Sequence, residues 1–194
     1  MENEAWIRMG VFLGVFLALA CLESLQPRRR ASLSRLQRWP GAGVLFIAGA
    51  AISRLIAPAG LAGLAIWADG QGIGVFNLFE GPVWVVGVLS FLIMDLSVWA
   101  QHVAMHRVPL LWRMHRVHHA DPHLDVVTAL RFHPAEILVS MVWKAAIVVL
   151  LGPPVVAVLV FEIVLNATAM FTYVPPTSGC SGPSALSEMA RALR

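Results

Sequence analysis

Long apolar runs, separated by short basic or glycine- and proline-containing stretches, organise this chain. Runs from Trp6 to Leu25, Gly41 to Ala68 and Pro82 to Ala100 each approach or exceed the roughly 20 residues that cross a bilayer as a helix. The second carries Arg54 and Pro58, so a break or a tilt is expected there. A fourth apolar region, Ala135 to Phe171, is interrupted by Gly152, Pro153 and Pro154. That combination stops a helix and turns the chain, which predicts a helical hairpin with Lys144 snorkelling or facing the bundle.

Composition agrees with the pattern. Of 194 residues, 58% are hydrophobic and 13% charged, and the mean hydropathy is +0.75. This is too apolar for an ordinary soluble domain. The expected fold is all-α, a polytopic membrane helical bundle with a histidine-rich helical cap on its cytoplasmic side. Thirteen of the fourteen basic residues are arginine, clustered at 28–38 and 107–131, and the net charge is only +3. Such clustering suits membrane orientation, and nucleic acid is not an expected partner.

The loop PRRRASLSRLQR after the first run is strongly basic, which places it in the cytoplasm by the positive-inside rule. The acidic start MENEAWIRMG then lies outside, as does the loop with Asp69 and Glu80, and the third span returns the chain to the cytoplasm at Gln101. No small-residue cleavage site follows the first run, so no cleaved signal peptide is expected. Cys21 and Cys180 form no CxxC pair and no haem-attachment motif, which points to neither disulfides nor thiolate ligands. From Tyr173 the sequence VPPTSGCSGPSALSEMARALR replaces apolar residues with Pro, Ser and Gly. We divide the chain into a membrane-embedded region, 1–172, and an atypical polar tail, 173–194.

All seven histidines fall between His102 and His133, beside a predicted span, where ionisable groups are costly and mark functional sites. On a helix, His102 and His106 project about 40° apart and can reach one ion. His115, His118 and His119 repeat that logic, and Pro109 marks the turn that brings the two helices together. Five imidazoles exceed the needs of a four-coordinate zinc and suit a two-metal site, with iron a plausible choice and zinc the alternative. Asp95, seven positions before His102 and on the same helix face, could orient a ligand imidazole or pair with an arginine inside the bundle. His133, in RFHP, is expected to support the site. A single histidine near headgroups is ordinarily a tolerated polar residue, and His123 is read so. The same holds for Arg107, Arg113, Arg116 and Arg131 as headgroup contacts.

The stretch DLSVWAQHVAMHRVPLLWRMHRVHHADPHLDVVTALRFHPAE, Asp95 to Glu136, closely resembles the central signature of the fatty acid hydroxylase superfamily, the membrane sterol desaturase-like enzymes. It combines HxxxH, PxLWRxHxVHH and T-x-x-RFHPxE. The resemblance implies a non-haem di-iron centre bound by histidines on the cytoplasmic side of a small helical bundle. Such an enzyme uses O2 and electrons from an external donor to hydroxylate or desaturate a lipid. Carried over residue by residue, the implied metal ligands are His102, His106, His115, His118 and His119, with Asp95 and His133 as supporting residues.

After a segment like Leu165 to Phe171, family members continue to further histidines and a final HxxHH box. This sequence has no histidine after His133, and TYVPPTSGCSG stands in that place. The expectation is a frameshift, truncation or alternative end near Thr172, leaving about half of a di-iron site. A second reading is a catalytically incompetent relative, a membrane scaffold binding little or no metal. A zinc hydrolase would want an HExxH pair, which is absent. A haem-binding carrier would place histidines on opposed spans, and a haem or flavin motif for electron supply is absent as well.

Overall fold

The computed structural model describes residues 4–25, 34–78, 81–120 and 125–173. Among them every regular element is helical: α1 (Glu4–Leu25), α2 (Arg35–Ile56), α3 (Gly60–Gly70), α4 (Val83–Arg107), α5 (Pro109–His119), α6 (Pro134–Leu151) and α7 (Val155–Tyr173), with 3₁₀ turns at Val75–Leu78 and Val126–Leu130. Five helical stretches are long and apolar enough to cross a membrane. The chain is an integral membrane protein, a helical bundle as the apolar runs predict. Leu13, Val44, Ile47, Leu92, Leu96, Trp99 and Val142 point away from the bundle, a surface that water would not tolerate and acyl chains cover.

The second apolar run is not one helix from Gly41 to Ala68. It begins earlier, at Arg35, and breaks after Ile56. The amide of Ala57 bonds back to Ser53, and Pro58 then disfavours helical geometry in the residue before it and offers no N–H of its own. The chain restarts through Gly60 at φ 65° into α3, whose 11 residues reach only about 16 Å, too short to span a bilayer. The expected hairpin between α6 and α7 is present. Gly152 takes the left-handed C-cap conformation, φ 61°, and a Cβ there would lie 2.6 Å from the Ile73 carbonyl oxygen.

Two apolar clusters hold the bundle. Leu61, Ala65, Met94, Val148, Val158 and Phe161 join α3, α4, α6 and α7. Leu19, Ala42, Val126, Val127, Ala129 and Met170 bury the second 3₁₀ turn between α1, α2 and α7. Between α2 and α6 the approach is close enough that a Cβ at Gly49 would collide with Ile137.

Polar ties supplement this packing. Arg8 of α1 pairs with Glu162 of α7 at 3.0 Å, and Lys144 faces the bundle, where its charge interacts with Glu162 and Arg8. Near the other end of α1, Glu23 accepts from the Val126 amide at 2.8 Å. Asp125 takes hydrogen bonds from Arg38 at 2.8 Å and from Trp39 Nε1 at 3.3 Å, and its side chain also accepts from the Thr128 amide to cap the 3₁₀ turn. The segment that follows the histidine helices is therefore anchored from α1 and α2.

Candidate metal centre

Helix α4 has 25 residues, about 37 Å, which exceeds the roughly 30 Å hydrocarbon core. The helix is therefore long enough to reach past the hydrocarbon core, and its last two turns carry His102 and His106. Val108 adopts the extended conformation, φ −91° and ψ 117°, that a following proline imposes. Pro109 then occupies N1 of α5, where its missing N–H is no loss. With a one-residue joint, α5 folds back on α4. It presents His115 and His118 to the interior and keeps Arg113 and Arg116 exposed on the opposite face.

This turn brings four imidazoles together. His102 Nε2 and His106 Nε2 lie 3.2 Å apart, and His115 Nε2 and His119 Nε2 lie 3.1 Å apart. One ligand nitrogen from each of His102, His106 and His115 falls within 4.8 Å of the others. Trp112 lies over the group, with ring centres 5.3 Å from His106 and 5.7 Å from His119. His115 is 1% exposed, whereas His102 and His119 form an accessible rim.

His118 sits apart. It is buried and stacks on Phe132 at 4.5 Å and 7°, and its ring engages the Arg131 backbone. Burial first, then the neighbouring His119 and His115, push it from the usual 6.5 down to about 3. Burial, His115 and His106 likewise bring His119 down to about 4. Both are therefore neutral at physiological pH, the form in which imidazole binds metals.

His133 is at the N-cap of α6, where its Nδ1 accepts from the Ala135 amide at 3.1 Å. Asp95 is exposed on α4, two turns from His102, and no hydrogen bond or ion pair involves it among the described residues. The carboxylate that meets a site imidazole is Glu136, in the first turn of α6, whose Oε1 is 2.6 Å from His115 Nδ1. Glu136 was not singled out from the sequence. The only local signal is its place three residues beyond His133, because its partner lies 21 positions away. His123 lies outside the described residues, as does the tail from residue 174.

Two observations test the fit of a metal. Nitrogens sharing one ion at about 2.1 Å lie roughly 3.0 to 3.4 Å apart, which both Nε2 pairs match. Glu136 is 4% exposed, and its second oxygen, Oε2, is buried without a hydrogen bond. A buried carboxylate oxygen without a hydrogen bond is costly, and a cation on the far side of His115 would supply compensating charge. An apolar groove of about 440 Å³ between the starts of α4 and α7 lies at the opposite end of α4 from the histidines.

Together the spans and the histidine cluster define a helical integral membrane protein with a candidate metal centre at one end of the bundle. The fatty acid hydroxylase family pattern matches residues 87–190, more than half of the chain, and the protein belongs to that family. No curated protein and no solved structure matches the chain.

Proposed function

We propose that the protein is a membrane-bound, non-haem iron oxidoreductase of the lipid hydroxylase and desaturase type. The observation that carries this reading is the convergence of His102, His106, His115 and His119 at the membrane end of α4, with Glu136 oriented against His115. Family membership supports a lipid-oxidising reaction class, and the reaction proposed is oxidation of a C–H bond in a lipid with O2 and electrons from an external donor. Iron, when bound, supplies the O2 chemistry. The chain's own residues do the rest.

Glu136 accepts a hydrogen bond from the Nδ1–H of His115, which leaves the lone pair of Nε2 pointing into the cluster. His133 caps α6 and so fixes the turn that carries Glu136. The face of α4 bearing Leu92, Leu96 and Trp99 is exposed and leads along the helix to His102, a route by which a lipid reaches the site without leaving the bilayer. Trp112 covers part of the cluster and limits access of water. Arg35, Arg38, Arg107, Arg113 and Arg116 gather at the histidine end, which supports a cytoplasmic site.

The test is to purify the full chain, load it anaerobically with ferrous iron, and assay it with a reductant, O2 and a panel of fatty acyl and sterol lipids by mass spectrometry. A product heavier by one oxygen, or lighter by two hydrogens, supports the proposal. Little or no bound iron, with no lipid product, would favour the catalytically incompetent relative.

A further inference from the structure

We infer that Gln101 is a positioning residue for the histidine cluster: through Ser140 it sets how far α6 stands along α4, and so holds the Glu136 carboxylate at His115. The inference deepens the proposed function and rests on the reading that the cluster binds a metal.

Gln101 immediately precedes His102 on α4, yet it turns inward where His102 is exposed, and only 5% of it is accessible. A primary amide buried among membrane helices is costly unless it is hydrogen-bonded. Here its Nε2 donates to Ser140 Oγ of α6 at 2.6 Å. Ser140 stands one turn, about 6 Å, beyond Glu136 on the same face of α6. On the next turn of that face, Trp143 Nε1 donates to the Ser97 carbonyl at 3.0 Å. Glu136, Ser140 and Trp143 therefore meet, in order, His115 of α5 and then Gln101 and Ser97 of α4.

Apolar side chains give helices in hydrocarbon no hydrophobic drive toward one register, because acyl chains are as apolar as they are. A hydrogen bond at 2.6 Å, by contrast, is lost once the helices slide by about 1 Å. The His115–Glu136 contact, also 2.6 Å, has the same tolerance, so whatever stops α6 sliding along α4 also preserves that contact. The hydrogen bonds from Gln101 and Trp143 are such stops, and the one from Gln101 lies nearer the histidines.

The experiment uses the full chain in detergent with two readouts. In metal-free protein labelled with 15N-histidine, NMR follows the Nδ1 proton of His115, which a carboxylate acceptor shifts downfield and which Glu136→Gln assigns. Separately, cobalt(II) affinity is measured by competition with a chelator. The variants are Gln101→Leu, Ser140→Ala and Ser140→Thr, the last keeping the hydroxyl, each also made together with Glu136→Gln and checked for helical content by circular dichroism. Ser140→Ala, a small change, keeps the test decisive if Gln101→Leu fails to fold. We expect the downfield signal to weaken and cobalt affinity to fall about 3- to 18-fold in Gln101→Leu and Ser140→Ala, the range spanned by interhelical hydrogen bonds in membranes. Ser140→Thr should retain both. Added to Glu136→Gln, Gln101→Leu should cost no further affinity, as for residues that act through one contact. Unchanged signal and affinity in Gln101→Leu and Ser140→Ala would overturn the assignment, leaving the metal-dependent function standing. An equal further loss on top of Glu136→Gln would overturn it too, because Gln101 would then act independently of Glu136. No cobalt bound by the unmodified chain would overturn the metal reading on which the inference rests.

Discussion

His115 and Glu136 meet across 2.6 Å although 21 positions separate them, and each is at least 95% buried. One belongs to the amphipathic helix that ends the histidine motif, the other to the first turn of a membrane span. Their contact ties the histidine cap to the bundle and sets which nitrogen of His115 faces its neighbours.

Glu136→Gln keeps the shape but removes the charge and weakens acceptance of the Nδ1 proton. Metal affinity should fall by about 10- to 100-fold, measured by competition with a chelator of known affinity, while helical content stays the same. Unchanged affinity would show that Glu136 does not act through His115.

Asp125 is the hub for Arg38, Trp39 and the 3₁₀ turn that leads to Arg131 and Phe132, and its side chain is 10% exposed. Asp125→Asn leaves the Arg38 guanidinium poorly compensated and should destabilise the detergent-solubilised protein by roughly 3 kcal/mol. The double variant Arg38→Met, Asp125→Asn should lose less than the sum of the two single changes. Additive losses would mean that the two side chains do not depend on each other.

Gly152→Ala should be costly for a backbone reason. A non-glycine residue in the left-handed region loses about 1–2 kcal/mol, and the approach of the Ile73 carbonyl oxygen adds to that. Gly10→Ala, where an added Cβ meets nothing within 4 Å inside α1, should be neutral or slightly stabilising. Thermal unfolding of the two variants side by side checks the contrast, and equal midpoints would contradict it.

Sidedness has its own test. With Cys21 and Cys180 changed to serine, Asp69→Cys should react with a membrane-impermeant maleimide in intact cells, and Arg113→Cys only after permeabilisation. The reverse pattern would place the histidines outside.

Much of the architecture was written locally. Apolar runs of span length must be helices in lipid, since no other backbone arrangement within a single segment satisfies its own hydrogen bonds there. The hairpin at Gly152, Pro153 and Pro154 follows from turn chemistry, and the pairs His102–His106 and His115–His119 follow from helical spacing. Where the second run breaks was only partly legible, because Pro58 announces a break without fixing which residues restart the helix.

Other features depended on the packing of distant helices. Asp95 stands on the histidine face of α4 by periodicity, yet the carboxylate at a site imidazole is Glu136, because α6 packs where α5 points His115. His118 and His119 are adjacent in sequence, but α5 packs against α4 on one side and the Phe132 segment on the other, so the two rings diverge. The ties Arg8–Glu162 and Arg38–Asp125 likewise join residues far apart in the chain. The sequence by itself determined which segments enter the membrane and which side chains can bind a metal, since both are short-range properties. Only the tertiary structure decided which of those side chains lie together, because helix packing sets the distance between residues that no local spacing relates.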